Sequence, residues 1–427
     1  MAGFKAAKQR TTVMKTMISV ETARYTVTTR KAGGTSVTER PTTQVAPLNA
    51  SRTAQRAVPT LLCLLACLAL AEAPTSALCE IVYPSQYTFT TLAGKSSNEQ
   101  HFNPKSVAVD AAGDVYFADT RKQVICRMQP SGRISIIAGK LGTSGCADGP
   151  GSEARFSYPR GIAIDAAENI FVADTANNTI RRITPDGVVT TVAGVAGTVG
   201  SRDGTGIYAR FNFPASVAVD SLGNIYVADL YNCTIRKVTQ HGTVTTIAGQ
   251  AGVHGSADGQ GSAALFNFPI SIALDSSGNT YVADVFNNAI RKITPNGTVI
   301  TWAGRLSYTP GNTDGAAGNA GFCHPCGVAV DNAGNVYVAD SGNNTIRRIT
   351  PDRNVTTLAG LAGQAGLADG IGSAVRFSHP TALALDQRDH LYVADLDNKT
   401  IRKGSAAIAI SVNAALSLKV ARSSYRE

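Results

Sequence analysis

The chain has 427 residues, with 39 Lys and Arg against 30 Asp and Glu, and a hydrophobic content of 44%. That hydrophobic content supports a folded core and excludes a wholly disordered chain. The formal charge of +9 suggests nucleic-acid binding, but ten of the basic residues and only two of the acids lie in residues 1–56. The other residues, 29 basic against 28 acidic, are nearly neutral.

Residues 1–56 are basic, rich in Ser and Thr, and without apolar periodicity, so we expect a disordered leader. An apolar run, 61–71, follows within the hydrophobic segment 57–77. A membrane-spanning helix needs about 20 apolar residues, whereas a signal h-region needs roughly 7–15. The run therefore predicts export to the secretory pathway or the extracellular space. Two alternatives stay open: a two-part signal to an organelle lumen such as that of the thylakoid, and a membrane anchor formed by residues 58–73.

Internal repetition dominates the chain after residue 86. A string ending in Ala-Asp recurs with its Asp residues 55, 55, 55, 56 and 55 positions apart, and a Pro recurs with the same step. The Asp residues are Asp119, Asp174, Asp229, Asp284, Asp340 and Asp395, and the Pro residues are Pro104, Pro159, Pro214, Pro269, Pro325 and Pro380. The sequence therefore contains six copies of one unit.

Each unit predicts four short strands, as the second unit shows. Runs of apolar and β-branched residues at 161–165, 170–174, 179–183 and 188–192 are separated by turns of Asn, Asp, Gly and Pro, as expected of strands and turns. The residue two after each repeated Pro is Ser, Gly or Ala, which suits a crowded inner strand. Six four-stranded sheets around one axis form a β-propeller.

The ends of the repeat array predict how the ring closes. The sixth unit stops after Lys403 without its fourth strand, whereas one extra copy of that strand, at 87–94, precedes the first unit. The extra copy can complete the last blade and so remove exposed sheet edges. We predict an all-β, six-bladed propeller over 87–403 whose N-terminal strand closes the last blade. A C-terminal tail at 404–427 either adds an edge strand or stays loose.

The pattern Asp-x-x-Gly-Asn-x-Tyr-Val-Ala-Asp followed by Asn-x-x-Ile-Arg-Lys-Ile, as in residues 275–293, resembles the NHL repeat. The resemblance extends over 87–403 and implies a six-bladed NHL-type propeller. The family includes proteins that bind RNA, proteins or carbohydrates, and a lyase, so no single function is implied. RNA binding would need a basic loop face in the cytosol; the neutral propeller and its leader oppose it, and we expect no nucleic-acid partner.

Most acids of the predicted propeller belong to the repeated pattern. They close the first and second strands or lie in Asp-Gly turns, and an Arg after Ile recurs in five units, with Cys126 in its place in the first. A position filled in nearly every blade is usually structural, so we expect these acids to form turns and to pair with the repeated Arg. No catalytic residue and no cofactor is predicted.

The residues that directly precede the six Pro residues are the candidate ligand-binding residues at the mouth of the central channel. Two of them are histidines in adjacent units and could face one ligand. The full set is Asn103, Tyr158, Phe213, Phe268, His324 and His379.

A metal-assisted lyase or hydrolase that uses His324 and His379 is the alternative function. A zinc site needs at least three ligands, and Cys323 or Cys326 could supply the third. The amidating lyase that resembles this family places its zinc histidines directly after the corresponding Pro. This chain has there Lys105, Arg160, Ala215, Ile270, Cys326 and Thr381. That lyase is therefore disfavoured, and no metal site is predicted.

The segment Cys323-His-Pro-Cys326 has the spacing of a redox pair. It leads into a predicted strand, whereas redox pairs of this kind open a helix that lowers the thiol pKa. For an exported chain we predict a local disulfide between Cys323 and Cys326, with unpaired thiols as the alternative.

Long connections cross from the fourth strand of each unit to the next repeated Pro. They reach about 20 residues and exceed ordinary loop lengths, and they lie on the same predicted face as the turns between second and third strands. Long loops on a rigid scaffold often carry binding residues. We therefore predict a non-catalytic scaffold that presents this face to a protein, peptide or glycan ligand outside the cytosol.

Overall fold

The computed structural model describes residues 77–82, 87–94, 102–306, 309–406 and 409–414. The leader at 1–56 and the apolar segment at 58–73 lie outside these residues, and so do the predictions of export, of a lumenal signal and of an anchor. In the part of the chain that the structure describes, no helix has the length and apolarity to cross a membrane.

The unit 85–407 is a six-bladed β-propeller, as the repeat predicted. Blades 1–6 are numbered in the chain order of their inner strands, and each has an inner, a second, a third and an outer strand. The inner strands are Pro104–Val109, Pro159–Ile164, Pro214–Val219, Pro269–Leu274, Pro325–Val330 and Pro380–Leu385. The second strands are Val115–Asp119, Ile170–Asp174, Ile225–Asp229, Thr280–Asp284, Val336–Asp340 and Leu391–Asp395.

The outer half of each blade completes an antiparallel sheet. The third strands are Val124–Met128, Thr179–Ile183, Thr234–Val238, Ala289–Ile293, Thr345–Ile349 and Thr400–Ala406. The outer strands of blades 1–6 are Ile134–Ala138, Val188–Gly194, Thr243–Ala248, Thr298–Ala303, Asn354–Gly360 and Tyr87–Ala93. The crossing connections add two-residue fifth strands to blades 2–6, namely Gly149–Pro150, Gly204–Thr205, Gly259–Gln260, Gly315–Ala316 and Gly370–Ile371.

The predicted closure of the ring is confirmed. Tyr87–Ala93 pairs with Thr400–Ala406 on one side and with Gly370–Ile371 on the other. The third strand of blade 6 extends past 403 because Gly404 pairs with Phe89 and can accept its ring. A Cβ at Gly404 would lie 2.5 Å from that ring, so only glycine fits there.

The described part of a second unit consists of one strand pair. Ala77–Val82 pairs antiparallel with Ala409–Ala414, with Ala77 opposite Ala414. The tail that was expected at 404–427 therefore contains a strand, and that strand pairs with the segment just before the propeller.

The core consists of six apolar clusters, each formed by two neighbouring blades. Between blades 1 and 2, for example, Ala108 and Tyr116 pack with Ile162 and Val172. The inner strands approach closely, because a Cβ at Gly161 would lie 2.5 Å from the Cα of Ser216. This close approach explains the small residue found two positions after each repeated Pro.

The repeated Arg and Asp residues form buried ion pairs, as expected. In blade 3, Arg236 donates to Asp229 at 2.8 Å and to Asp203 of the crossing connection at 2.6 Å, and it lies over the Phe211 ring at 5.2 Å. The same arrangement recurs around the other four arginines, Arg181, Arg291, Arg347 and Arg402. Each arginine therefore joins its blade to the preceding crossing connection.

Candidate functional site

The residues before the repeated Pro have a left-handed backbone in blades 2–6. The φ angles of Tyr158, Phe213, Phe268, His324 and His379 lie between 48° and 59°, a region that side chains of this size rarely occupy. Asn103, at the same position in blade 1, does not have a positive φ. Such backbone strain persists only where the surroundings enforce it.

Side chains of the preceding blade hold these left-handed residues in place. The backbone N–H of Phe213 donates to Asn178 Oδ1 at 2.8 Å, and that of His324 donates to Asn288 Oδ1 at 2.8 Å. The N–H groups of Tyr158 and His379 are bound in the same way by Gln123 and Asn344. The backbone of each of these four residues is therefore fixed at a junction between two blades.

Five rings form a continuous row over blades 3–5, which we call the aromatic row: Phe213, Tyr231, Phe268, Phe286 and His324. Successive centroids lie 4.9, 5.6, 4.9 and 5.8 Å apart. Edge-to-face and tilted contacts at these distances hold the rings rigidly against one another. Tyr231 and Phe286 remain 43% and 42% exposed, so the row is open to solvent.

A residue of the crossing connections also joins the aromatic row. The His254 ring stacks on Phe268 at 5.1 Å, and its Nδ1 lies 3.2 Å from the thiol of Cys233. Tyr231 and Phe286 belong to the turns between second and third strands. Both kinds of loop therefore meet at the row, on one face of the propeller, which we call the crossing-loop face.

The six predicted ligand-binding residues divide into two groups. Phe213, Phe268 and His324 belong to the aromatic row, whereas among the described residues no ring contact joins Asn103 or the 56% exposed Tyr158 to it. His379 binds Asp397 instead, with Nδ1 2.5 Å from the carboxylate oxygen. The repeat register therefore placed these six residues at equivalent positions but did not indicate which of them contact one another.

The two histidines of the metal-assisted alternative have different partners. His324 packs on Phe286 and lies 3.6 Å from the Cys323 thiol, whereas His379 pairs with Asp397. Within the described ranges, no group of three or more His, Cys, Asp or Glu side chains is placed so that it could hold a metal ion.

The disulfide predicted between Cys323 and Cys326 is absent from the structure, in which both are free thiols. Cys326 lies in the inner strand of blade 5 and its thiol contacts the His324 carbonyl at 3.3 Å, whereas the Cys323 thiol contacts the His324 ring. Burial raises the pKa of both thiols. Both are therefore protonated at neutral pH and are poor nucleophiles.

The sequence analysis did not identify Tyr231, Phe286 and His254. They occupy positions that vary among the repeats: the residue aligned with Tyr231 is Arg121, Ala176, Phe286, Gly342 or Asp397. A search for positions at which a repeat departs from its own pattern toward an aromatic residue would have found them.

Comparison with known proteins supports the repeat assignment. The NHL repeat family model matches residues 156–183, 211–238 and 322–349. Each match covers an inner, a second and a third strand, in blades 2, 3 and 5. The Arabidopsis thaliana protein SUPPRESSOR OF QUENCHING 1, chloroplastic, is 29% identical over 320 residues, which cover 70% of this chain and 30% of that protein.

Human NHL repeat-containing protein 2 is 28% identical over 334 residues, covering 70% of this chain and 46% of that protein. The chain thus spans less than half the length of these two relatives. Among solved structures, an auxiliary nutrient binding protein from Bacteroides ovatus has a TM-score of 0.56 at 19% identity, over 76% of this chain and 77% of that one. At this identity the likeness shows the fold alone. The matched repeats and the six blades show that this chain contains NHL repeats within a six-bladed propeller.

Proposed function

We propose that this NHL propeller is a non-catalytic binding scaffold and that a peptide segment of a partner protein binds along the aromatic row. The exposed, rigid row itself carries this proposal. Aromatic side chains packed in this way lose little conformational freedom on binding, and Tyr in particular is enriched among the residues that dominate protein interfaces. Proteins, peptides and glycans were the ligand classes expected from the sequence, and the row favours a peptide.

The aromatic row also suits a peptide that binds in an extended conformation. Its five rings run across three blades and bring residues of two kinds of loop together, so an extended peptide could contact several rings at once. Phe286 and Tyr231 offer exposed ring surface, and the buried parts of the same rings anchor them to Phe268. Extended peptides commonly bind in aromatic-lined grooves of this kind.

Selection of a random peptide library on the full chain tests this function. The key variant is Tyr231→Ala combined with Phe286→Ala, and the matched control is Leu222→Ala. Leu222 is 69% exposed and lies in the turn between the first and second strands of blade 3, on the opposite face. Selected peptides should bind the double variant at least tenfold more weakly and the control unchanged.

Two outcomes would overturn the peptide assignment. In the first, the selected peptides bind the double variant as tightly as the unmodified chain. In the second, the chain selects no peptides but binds on a glycan array with the same dependence on Tyr231 and Phe286, which would assign the row to a glycan.

We further propose that the propeller acts outside the cytosol. The neutral propeller behind a basic leader and an apolar run supports export, and the word chloroplastic in the name of the Arabidopsis relative supports the lumenal alternative. Sequencing the N-terminus of the protein from its own cells tests this. A start between residues 72 and 76 indicates cleavage, whereas an intact leader in the membrane fraction would indicate an anchor and an intact leader in the cytosol would contradict export.

A further inference from the structure

The first residues after the repeated Pro residues form a ring at the start of the inner strands. These strands are neighbours around the central channel, and adjacent ones are linked, as where Thr381 Oγ1 donates to the Lys105 carbonyl at 3.2 Å. The ring is chemically uneven. Its members are Lys105, Arg160, Ala215, Ile270, Cys326 and Thr381.

Lys105 and Arg160 hold the same position in neighbouring inner strands, which are joined where the Ile162 N–H donates to Ser106 Oγ at 3.3 Å. Arg160 of blade 2 is close enough to Lys105 of blade 1 to disfavour the charged form of that lysine, and Cys326 of blade 5 interacts electrostatically with both. Blade 5 adjoins neither blade 1 nor blade 2 in the ring. The three residues therefore lie on different sides of the central space that the inner strands surround.

The two cations differ from the repeated arginines of the blades. Each repeated arginine binds two carboxylates, as Arg236 does, whereas no described residue forms an ion pair with Lys105 or Arg160. Asp397 lies near enough to Lys105 to favour its charge, but Asp397 is bound to His379 at 2.5 Å. The channel mouth therefore holds two half-buried positive charges without a bound counter-charge.

The surroundings make this pair costly in the absence of a ligand. Burial, and then the charge of Arg160, lowers the pKa of the Lys105 amine, and burial lowers the pKa of Arg160. Burial also raises the pKa of the Cys326 thiol, so that this neighbour is neutral and supplies no anion. Like charges held together in a partly dry site are stabilised when an anion binds between them.

We propose that Lys105 and Arg160 form a binding site for an oxyanion, a carboxylate or a phosphate, at the mouth of the central channel. A guanidinium presents a fork of donors that matches the two oxygens of such a group, and the ammonium adds a point charge. Ala215 and Ile270 form an apolar arc of the same ring, which would contact the carbon chain of an organic anion.

This site deepens the proposed function, because Tyr231 of the aromatic row lies near enough to Arg160 to affect its pKa. A peptide on the row could place a carboxylate or a phosphate in the channel mouth. The anion site itself needs no peptide and is testable with small anions alone.

Calorimetric titration of the full chain at constant ionic strength provides the test, with inorganic phosphate, acetate and hexanoate as probes. At least one probe should bind saturably. The variants Arg160→Met and Lys105→Met should each weaken binding at least tenfold, while Arg133→Met, which removes an exposed cation of blade 1, should not. Arg160→Lys keeps the charge without the fork and should bind with an intermediate affinity.

Thermal unfolding without added anion separates a ligand site from a structural pair. Removing either of two repelling cations should leave the melting temperature unchanged or raise it, whereas loss of a structural residue would lower it. A lowered melting temperature in both Met variants, or the absence of saturable binding by all three probes, would overturn the proposal.

The same titrations distinguish a phosphate ligand from an organic carboxylate. They also test anion binding separately from peptide binding. Phosphate binding alone would indicate a phosphorylated or inorganic ligand, and preference for hexanoate would indicate an organic carboxylate that uses the apolar arc. The Tyr231→Ala, Phe286→Ala double variant should still bind the small anion, so failure of peptide binding and failure of anion binding are separate results.

Discussion

Blade 1 differs from the other five blades at the buried position of the third strand, which is a cysteine in blade 1 and an arginine in the others. In blade 4, Arg291 is fully buried and donates to Asp284 at 2.9 Å, to Asp258 at 2.7 Å and to two backbone carbonyls. In blade 1, Cys126 occupies the position of this arginine and packs with Phe117 and Ile401. The carboxylate that the arginine would bind, Asp119, has one oxygen without a hydrogen-bond partner.

This difference between blade 1 and the other blades indicates the structural role of the repeated arginine. In blades 2–6 it fastens the crossing connection of its own blade, whereas the connection into blade 1 is shorter, with nine residues between Gly94 and Pro104 against nineteen between Gly194 and Pro214. Blade 1 instead carries an ion pair between Arg127 and Asp114. Most other blades have an Asn at the position of Asp114. The buried arginine is therefore a device for holding a loop, and the apolar ring of the core closes without it.

The largest effect on the unfolding free energy is expected when Arg291 of blade 4 is replaced by cysteine, the residue at the equivalent position of blade 1. Arg291→Cys leaves Asp284 buried without its cation, and loss of one partner of a buried pair costs about 3–5 kcal/mol of unfolding free energy. Urea unfolding of the full chain measures this loss. Lys292→Cys on the same strand is the control, and Asp284→Asn added to Arg291→Cys should recover part of the loss. A single variant within about 1 kcal/mol of the unmodified chain would contradict the comparison.

A smaller effect is expected from exchanging the carboxylates of the two blades for amides. Asp284→Asn weakens charge-assisted hydrogen bonds from Arg291 and should cost about 2–3 kcal/mol. Asp119→Asn removes a buried charge that lacks an arginine partner. The unfolding free energy of this variant should therefore fall by no more than about 0.5 kcal/mol, or should increase. The same urea experiment compares them, and equal losses would show that the arginine does not distinguish the blades.

Much of this architecture was predictable from the sequence. The 55-residue step, the missing strand after Lys403 and the extra copy at 87–94 determined six blades and their closure. The pairing of Arg with Asp was predictable as well, because both recur at fixed offsets. Repetition is informative about the scaffold, since each blade must bury the same faces.

The candidate site was less predictable for the same reason. Tyr231 and Phe286 stand where the repeats vary, and a single sequence cannot show whether such variation is selected. The left-handed backbone at His324 depends on Asn288 of the preceding blade, a contact over 36 positions. Periodicity does not reveal such a contact. The third strand of blade 6 passed the predicted end at 403 because Gly404 accommodates the Phe89 ring.

The junctions between blades give a third, weaker contrast. Asn178 has a φ of 58°, and its side-chain oxygen accepts a hydrogen bond from the N–H of Phe213. The equivalent residue of blade 6, the neighbour of blade 1 in the ring, is Lys399, which has a φ of 56° and no side-chain amide. Asn178→Ala loses the hydrogen bond and should cost about 1–2 kcal/mol. Lys399→Ala should cost less than about 0.5 kcal/mol. Thermal unfolding checks both, and a Lys399→Ala loss as large as that of Asn178→Ala would show that the backbone conformation alone determines the cost.

The smallest expected effect is on the pH dependence of the unfolding free energy. It distinguishes Asp119 from Asp386, a carboxylate that accepts hydrogen bonds from a histidine. Burial raises the pKa of Asp119 above that of an unfolded aspartate. Between these two values the folded state holds more protons than the unfolded state, so stability falls as the pH rises through this window, which begins near pH 4.

Asp386 in blade 6 has the opposite sign. Burial alone would raise its pKa, but hydrogen bonds from His390 outweigh burial and lower the pKa to about 2. Its contribution is present above the unfolded pKa and is lost as the pH falls from about 4 toward 2.

Urea unfolding from pH 3 to pH 8 distinguishes the two carboxylates. The stability of Asp119→Asn relative to the unmodified chain should increase as the pH rises from about 4 and become constant above the raised pKa. Asp386→Asn should differ from the unmodified chain most above pH 4 and least in acid. A difference for Asp119→Asn that does not change with pH would mean that hydrogen bonds to Asp119 offset the effect of burial on its pKa, although blade 1 has no arginine at this position.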